Sequence, residues 1–340
     1  FRQTGPIVPN VMEARRSWHS AVLLLDRAER ASSSDASVQA ALKFAQLRGR
    51  SPMPLLILSH NSQSSTPGAP SVTASGAANG WCWGLARTLA LEQPAAPVLT
   101  ADVAGYGAAP AALFPMLLEL RNASIDHKET EIVCHGSAYK VARLRRGSAV
   151  AGLTNGPAAG TGSWCITGGL GGLGLRAAEL LRSMGATDLV LCSRGGASTP
   201  LRSPLSMARV VPCDVSDAAE VAHVAHVLMQ GGSAVGYVHA SGVLADSLMQ
   251  RLSSEQVRRV LSPKTGGAWQ LQTSSWQVQV QGFVLFSSIA SAFGNVGQAN
   301  YSAANSYLDT FARYRQSRAL VASSLQLSLW SATPVCPQHA

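Results

Sequence analysis

The stretch Ile166-Thr-Gly-Gly-Leu-Gly-Gly-Leu-Gly174 lies near the middle of this 340-residue chain and is its strongest indication of a fold. A short apolar run, 163–167, precedes its glycines, and apolar residues at helical spacing follow over 173–184. A strand, a Gly-x-Gly-x-x-Gly turn and a helix in this order are typical of the first unit of a dinucleotide-binding fold, in which the turn approaches a pyrophosphate. An ordinary glycine-rich loop between a strand and a helix is the alternative.

The rest of the chain alternates strand-like apolar runs with helical stretches, which predicts parallel sheets. The segments before the glycine turn are 21–25, 38–47, 54–58, 81–91, 98–103 and a hairpin at 131–144, and strands are predicted after it at 188–193, 209–214, 235–242, 281–289 and 323–330. No glycine fingerprint follows any strand of the first half. We therefore predict an α/β fold with two Rossmann-like subdomains. The first, 1–150, is truncated and structural, and the second, 151–340, is a doubly wound parallel sheet that binds the nucleotide; the Gly-rich segment 145–162 joins them.

The strand after the glycine turn ends in Ser193 and Arg194, and Arg194 lies 20 residues beyond Gly174. An Asp or Glu at about this distance binds the ribose hydroxyls of NAD, whereas a serine and an arginine suit a 2′-phosphate. The sequence thus favours NADPH over NADH, with a surface arginine at a strand end as the alternative. The expected cofactor contacts are Thr167, Gly168, Gly169, Gly171, Gly172, Leu173, Gly174, Ser193, Arg194, Asp214, Val215, Ala240 and Gly242.

The composition limits the partners and the compartment of the protein. Its formal charge is +9, with arginine clusters at 143–146 and 251–259, but no aromatic residues alternate with them as a nucleic-acid platform requires. We expect a solvated basic face, with an acidic protein partner as the second interpretation and no nucleic acid. The six cysteines form no Cys-x-x-Cys pair, which favours reduced thiols in an intracellular, cytoplasmic setting. No apolar run reaches the roughly 18 residues that a membrane span needs.

The histidines do not predict a metal site. His223 and His226 lie three residues apart on a predicted helix, but no Cys or carboxylate ligands accompany them. His239 lies in an apolar strand, where a histidine is more often a hydrogen-bonded core residue than a catalytic one.

Four polar residues of the second half form the candidate catalytic set. Tyr301 and Asn305 are four residues apart and share a helix face, and Ser288 ends the strand before them. A phenol with a pKa of about 10 is a poor proton donor near pH 7 unless a cation stabilises its ionised form. Lys264 is the candidate cation. The alternatives are a surface lysine for Lys264, a strand-end cap for Ser288 and a core aromatic for Tyr301.

These motifs resemble the ketoreductase domain of polyketide synthases, within the short-chain dehydrogenase/reductase superfamily. The matching stretches are the glycine turn at 167–174, His239-Ala-Ser-Gly-Val-Leu244, Pro263-Lys264, Phe286-Ser-Ser288, Tyr301-Ser-Ala-Ala-Asn305-Ser-Tyr-Leu-Asp309 and, for the structural subdomain, 83–94 and 131–144. In that superfamily the lysine usually follows the tyrosine by four residues. Here Asn305 stands at that place and Lys264 lies upstream, the arrangement of polyketide and fatty-acid synthase ketoreductases.

The resemblance implies that NADPH reduces a β-ketoacyl thioester, carried on an acyl carrier protein, to the β-hydroxyacyl thioester. Tyr301 would protonate the developing alkoxide and Ser288 would hydrogen-bond it. Lys264 and Asn305 would lower the pKa of the phenol and relay protons. The neighbouring domains of a polyketide synthase are the other partners that the resemblance implies.

The stereochemical signature and the end of the chain depart from the family. Leu244-Ala-Asp246 resembles the Leu-Asp-Asp signature of B-type ketoreductases, which form the D-configured alcohol, although Ala245 replaces its first acid. No Trp lies between Ser288 and Tyr301, where the opposite class tends to carry one, so we expect the B-type outcome with Asp246 in stereocontrol. A Gly-Ser-Pro-rich stretch at 195–212 replaces a helix of the family, and the chain stops before the family's lid helix and final strand, which predicts a truncated C-terminus.

These departures support a second hypothesis, a catalytically silent ketoreductase-derived structural domain of a megasynthase. A third hypothesis, a free-standing oxidoreductase of small alcohols, is disfavoured by the N-terminal unit and by the displaced lysine.

Overall fold

Two sheets, each with its own helices, build the protein. The computed structural model describes residues 21–25, 34–49, 53–63, 72–103, 130–135, 138–143, 160–196, 201–230, 234–276 and 278–328. Most of the predicted boundary segment, 145–159, lies outside these residues, so the division of the chain near residue 150 stays a prediction.

The first sheet has five strands in the order β1-β2-β3-β4-β5. The strands are Ala21–Leu24 (β1), Leu55–His60 (β2), Val98–Val103 (β3), Glu131–His135 (β4) and Ala138–Lys140 (β5), and the helices are Ser34–Arg48 (α1), Ala74–Ala78 (α2) and Trp81–Glu92 (α3). Strands β1 to β4 are parallel, and β5 returns antiparallel to β4 as the predicted hairpin requires. The tip of that hairpin, 136–137, lies outside the described residues. Nearly every residue of β2 and β3 is buried, and apolar residues fill most of their length, as is typical of the inner strands of a parallel sheet.

The second sheet has six parallel strands in the order β11-β10-β9-β6-β7-β8. The strands are Gly162–Thr167 (β6), Ala186–Ser193 (β7), Arg209–Pro212 (β8), Ala234–His239 (β9), Gln279–Ser288 (β10) and Ser323–Leu327 (β11). The helices are Gly172–Ser183 (α4), Ala218–Met229 (α5), Ser254–Leu261 (α6), Gly267–Ser274 (α7), Ile289–Phe293 (α8) and Ala299–Ser317 (α9). The predicted α/β fold with two Rossmann-like sheets is confirmed.

The strand order reverses between β6 and β9, the two central strands of the second sheet. In an open α/β sheet the helices leave such neighbouring strands toward opposite faces, so a crevice opens beyond their carboxyl ends. Thr167 ends β6 and His239 ends β9, and both lie at this crevice. The fold therefore brings the glycine turn and the His239-to-Leu244 motif to one edge of the sheet.

Local sequence signals explain where the helices of the second unit begin. Asp217 caps α5 by accepting hydrogen bonds from the N–H groups of Ala219 and Glu220. Ser253 and Gln256 form a reciprocal capping box at the start of α6. Between β7 and β8 the described residues, 201–208, form turns and no helix, as the Gly-Ser-Pro-rich composition predicts.

Helix α3 of the first unit packs closely against α9 of the second. A Cβ at Gly84 would lie 2.1 Å from the carbonyl oxygen of Ser302, so only glycine permits this approach. The N–H of Gly84 donates to Ser306 Oγ at 3.0 Å, and that hydroxyl donates to the carbonyl of Gly80 at 2.8 Å. Since α9 begins with the Tyr301 motif, the first unit supports the helix that carries the candidate catalytic residues.

Candidate active site

Lys264 and Tyr301 meet at the carboxyl edge of the second sheet. Lys264 lies in a π-helical turn, Ser262–Gly266, between α6 and α7, and Tyr301 lies in the first turn of α9. The Nζ of Lys264 is 5.5 Å from the centroid of the Tyr301 ring and donates to the carbonyl of Phe286 at 3.0 Å. Only 5% of Lys264 is exposed, which rules out a surface lysine.

The burial of Lys264 sets its protonation behaviour. Burial lowers the pKa of this lysine to about 8, against the opposing effect of the negative charge of Asp309. The amine is therefore still mostly protonated at neutral pH, and its charge lies beside the phenol.

Asp309 is a buried carboxylate that ends the Tyr301 motif and lies outside the predicted catalytic set. It accepts hydrogen bonds from Ser291 Oγ at 2.6 Å, Ser324 Oγ at 2.5 Å and Gln326 Nε2 at 2.7 Å. These bonds tie α9 to α8 and to the edge strand β11. A signal for it was present, because Asp309 lies four residues after Asn305 on the same helix face.

Ser288 lies between Lys264 and Tyr301 in the chain, and Asn305 follows Tyr301 by four residues. Ser288 Oγ accepts a hydrogen bond from the N–H of Ala290 at 3.2 Å, so it caps α8, and its own proton remains for another acceptor. Asn305 Nδ2 donates to the carbonyl of Tyr301 at 2.9 Å. Its Oδ1 is buried and has no hydrogen-bond partner among the described residues. A buried amide oxygen of this kind is suited to hold a water molecule or another donor.

His239 connects the end of β6 to the lysine turn. Its Nε2 lies 3.0 Å from the carbonyl of Lys264 and its Nδ1 lies 2.7 Å from Thr167 Oγ1. Because a carbonyl only accepts, Nε2 carries the proton and Nδ1 accepts from the threonine hydroxyl. Burial, and then the charge of Lys264, lowers the pKa of His239 to about 3, so the ring is neutral. The expected buried, hydrogen-bonded histidine is confirmed.

The glycine turn has the geometry of an anion cradle. Gly168 has a φ of +64°, and a Cβ there would lie 2.9 Å from the backbone of Ala240. A Cβ at Gly174 would lie 2.3 Å from the carbonyl oxygen of Gly168. Gly171 caps α4 without any side-chain hydrogen bond, and a Cβ at Gly172 would meet no atom within 4 Å. The first turn of α4 thus has no side-chain cap and open space beside Gly172, an arrangement that fits a pyrophosphate.

The other predicted cofactor residues lie along the same edge. Ser193 ends β7 with the exposed Arg194 beside it, and Asp214 follows β8, where its Oδ1 accepts from the N–H of Ser216 at 2.9 Å. Val215 is buried, and a Cβ at Gly267 would lie 2.8 Å from its Cγ1. The N–H of Ala240 donates to the carbonyl of Thr167 at 3.1 Å.

Gly242 and Asp246 lie on the loop that follows β9. A Cβ at Gly242 would lie 2.8 Å from Cε of Lys264, so the absence of a side chain there makes room for the lysine. Asp246 Oδ2 accepts from Gln298 Nε2 at 2.8 Å, and Gln298 lies three residues before Tyr301. The candidate stereocontrol residue is therefore hydrogen-bonded to the segment that leads into α9.

Within the described ranges, no group of three or more His, Cys, Asp or Glu side chains is arranged to hold a metal ion, and His223 and His226 are exposed on α5. No helix in the described part of the chain is long and apolar enough to cross a membrane. Arg251, Arg258 and Arg259 are solvent-exposed, as expected for a basic face.

Comparison with known proteins assigns this architecture to a family. The KR domain profile matches residues 162–332. Polyketide synthase GfsA of Streptomyces halstedii is 37% identical over 257 residues, which are 73% of this chain and 3% of that protein. Chalcone synthase cfoA of Aspergillus candidus is 34% identical over 264 residues, which are 73% of this chain and 9% of that protein. The chain thus spans less than a tenth of the length of these two curated relatives.

Solved ketoreductase structures have the same fold. An A-type ketoreductase from a modular polyketide synthase superposes with a TM-score of 0.77 at 29% identity, covering 91% of this chain and 67% of that one. The first ketoreductase of the tylosin synthase gives a TM-score of 0.76 at 26% identity, with 93% and 68% covered. A C2-type ketoreductase gives 0.75 at 26% identity, with 88% and 65% covered. A ketoreductase is an oxidoreductase that acts on keto groups. The family match and these likenesses agree with the glycine cradle and with the buried lysine beside the tyrosine. The chain therefore belongs to the ketoreductase (KR) domain family of polyketide synthases.

Proposed function

We propose that the chain is an NADPH-dependent reductase of a β-ketoacyl thioester, carried on an acyl carrier protein, and that its product is the β-hydroxyacyl thioester. The observation that carries this proposal is the buried ammonium of Lys264 beside the ring of Tyr301, 5.5 Å from its centroid. In a catalytically silent scaffold a buried cation at that position would have no function and would lower the free energy of unfolding, because burying a charge is unfavourable. A proton-donating phenol does benefit from it.

The cofactor would bind along the carboxyl edge of the second sheet. The N–H groups at the start of α4 and the space over Gly172 fit the pyrophosphate, and Ser193 with Arg194 fits a 2′-phosphate. When bound, NADPH supplies the hydride for the β-carbon. The nicotinamide end would lie toward Ala240 and Gly242, close to the lysine.

The chain's own residues handle the proton. Tyr301 would donate its phenolic proton to the alkoxide oxygen that develops on the substrate, and Ser288 would donate a hydrogen bond to the same oxygen. Lys264 would stabilise by its charge the phenolate that remains when this proton leaves. The unpartnered Oδ1 of Asn305 is suited to hold a water that returns a proton toward Lys264 and Tyr301.

We further propose the D-configured alcohol, the B-type product. Asp246 supports this assignment because it matches the second acid of the signature and is held by Gln298 beside the start of α9. The segment between Ser288 and Tyr301 contains Phe293 but no Trp.

The partners in this proposal are an acyl carrier protein and the neighbouring domains of a polyketide synthase. The two curated relatives described above are far longer than this chain, which supports neighbouring domains. We propose an intracellular, cytoplasmic location, because the described cysteines form no disulfide and are all buried.

The proposal is tested with the purified protein in its natural length. We expect it to enhance or quench NADPH fluorescence and to oxidise NADPH in the presence of a model β-ketoacyl thioester, with the D-alcohol as the main product in chiral analysis. If it binds NADPH but oxidises none with any such thioester, the silent-scaffold hypothesis replaces the reductase. An L-alcohol would overturn the stereochemical assignment alone.

Replacement of Arg194 tests the preference for NADPH. In Arg194→Ala we expect the dissociation constant for NADPH to rise by roughly 10- to 100-fold, because a charge-assisted contact to a dianionic phosphate is lost. The dissociation constant for NADH should stay within about twofold, since NADH has no 2′-phosphate. Arg176→Ala on the exposed side of α4 is the matched control and should leave both constants unchanged. Equal losses of NADPH and NADH affinity in Arg194→Ala would contradict a 2′-phosphate contact.

A further inference from the structure

Glu92, the last residue of α3, joins two separate loops of the second unit. Its Oε1 accepts a hydrogen bond from the backbone N–H of Gly297 at 2.9 Å. Its Oε2 accepts from the backbone N–H of Met249 at 2.6 Å. No basic side chain of the described residues forms an ion pair with Glu92. Both carboxylate oxygens are therefore committed to the two loops.

The first loop follows β9 and the second leads into α9. The first, 240–250, carries Asp246, and the second, 294–298, ends three residues before Tyr301. The loops also bond to each other, because the N–H of Ser247 donates to the carbonyl of Gly297 at 2.8 Å. The hydrogen bond from Gln298 to Asp246 is a second direct link between the loops. Glu92 adds a further link, because it accepts from a backbone N–H of each loop.

The same helix holds the rest of the segment between Ser288 and Tyr301. Arg87 pairs with Glu131 at 2.5 Å and donates a short hydrogen bond to the carbonyl of Ser291. The N–H of Asn295 donates to Thr88 Oγ1 at 3.3 Å.

Backbone geometry explains why this segment needs such anchors. Gly294 has a φ of +72°, and a Cβ there would lie 2.8 Å from the backbone of Arg87 and Thr88. Gly297 has a φ of +81°. Glycines in this conformation leave a loop without stiffness of its own, so its position depends on the contacts from α3.

We propose that Glu92 is a positioning residue for selection of the substrate face. Its carboxylate fixes the separation between the Asp246 loop and the loop that leads into Tyr301, and so fixes how the β-carbonyl lies between the cofactor and the phenol. This inference rests on the proposed reductase function and deepens it. A displacement of about 1 Å at a reacting centre costs on the order of 10²-fold in rate, so loops that drift apart lose selectivity. The structural first unit thereby contributes to the chemistry of the second.

The test begins with the loops themselves, in protein without substrate. In Glu92→Gln the amide oxygen still accepts one N–H, but the NH₂ group faces the other N–H and cannot accept it. We expect amide hydrogen exchange at Met249 or Gly297, or at both, to accelerate by at least about tenfold, the effect of losing a charge-assisted hydrogen bond. Glu179→Gln, a glutamate paired with Arg176 on α4, is the matched control and should leave both amides unchanged.

The second measurement is the ratio of D- to L-alcohol formed from a model β-ketoacyl thioester. We expect Glu92→Gln to lower this ratio by at least about tenfold, equivalent to about 1.4 kcal/mol between the competing transition states, while NADPH affinity stays the same. Leu89→Ala is the control for simple destabilisation, because Leu89 is fully buried in α3 and has no side-chain bond to either loop. It should lower the melting temperature and leave the product ratio unchanged.

Three outcomes would overturn the proposal. Unchanged amide exchange in Glu92→Gln would mean that the carboxylate does not hold the loops. Faster exchange with an unchanged product ratio would mean that the loops do not select the face. An equal loss of selectivity in Leu89→Ala would reduce Glu92 to a purely structural role. If the unmodified protein reduces no thioester, the proposed function fails and the face-selection role fails with it, while the exchange rates still decide whether Glu92 holds the loops.

Discussion

Tyr301→Phe is expected to lower turnover by about 10²- to 10⁴-fold, the range that general acid catalysis contributes. The substitution removes the proton donor and keeps the ring over which the Lys264 ammonium lies. The affinity for NADPH should stay within about twofold, because the expected cofactor contacts lie on the glycine turn and at the ends of other elements, not on α9. Steady-state NADPH oxidation gives the first quantity, and fluorescence titration of NADPH gives the second.

Tyr307→Phe is the matched control for that experiment. Tyr307 lies on the same helix and is fully buried, and its hydroxyl has no hydrogen-bond partner among the described residues. Removal of an unpartnered buried hydroxyl should leave turnover unchanged and hold or raise the free energy of unfolding. If Tyr301→Phe keeps more than about a tenth of the turnover, another group supplies the proton and the assigned role of Tyr301 is wrong.

Lys264→Met is expected to abolish most of the activity and, at the same time, to stabilise the protein. The charge that we propose stabilises the phenolate is lost, so turnover should fall by at least about 10²-fold. Below pH 8, however, the folded state of the unmodified protein holds a buried, protonated amine. Removing that desolvation penalty should raise the free energy of unfolding at pH 7 by about 1–3 kcal/mol, net of the lost hydrogen bond to Phe286. Denaturant unfolding of both proteins measures the difference.

The sign of the pH dependence follows from the depressed pKa. The pKa of Lys264 is about 8 in the folded protein and has the ordinary value of 10.5 in the unfolded chain. Between these values the unfolded chain binds more protons, so the stability of the unmodified protein rises with pH across this window relative to the methionine variant. The difference in free energy of unfolding between the two proteins should therefore be largest below pH 8 and should disappear by pH 10.5. A difference in free energy of unfolding that increases over this range would contradict a lowered pKa of Lys264.

The same titration predicts the activity profile of the unmodified protein. Turnover should fall as the pH rises through about 8, because deprotonation of Lys264 removes the charge beside Tyr301. The profile of a silent scaffold has no such step, since it has no turnover.

Local patterns in the sequence predicted the fold closely. The run 163–167, the glycine turn and the helical spacing after it correspond to β6, the cradle and α4 within one or two residues. The shared helix face of Tyr301 and Asn305 also follows from a spacing of four residues. These features depend on neighbours in the chain, and a single sequence carries that information.

Long-range contacts were not predictable in the same way. The meeting of Lys264 with Tyr301 was a hypothesis from family resemblance, because their distance depends on how β9 and β10 pair and on where α6 ends. The bridge from Thr167 through His239 to the lysine turn, and the hydrogen bonds of Glu92, join segments far apart in the chain. Neither has a local signature, because the acceptor that a backbone N–H meets depends on the tertiary structure and not on the residue type.

Deuterium transfer from NADPH to the product shows directly whether the chain is a β-ketoacyl reductase. The purified protein, in its natural length, is mixed with NADPH carrying deuterium at both C4 positions and with a model β-ketoacyl thioester, and the β-carbon of the product is analysed by mass spectrometry. We expect one deuterium on that carbon with the unmodified protein. We expect a loss of labelled product in both Tyr301→Phe and Lys264→Met. Protein that binds NADPH and the thioester but leaves the β-carbon unlabelled would contradict the proposed function.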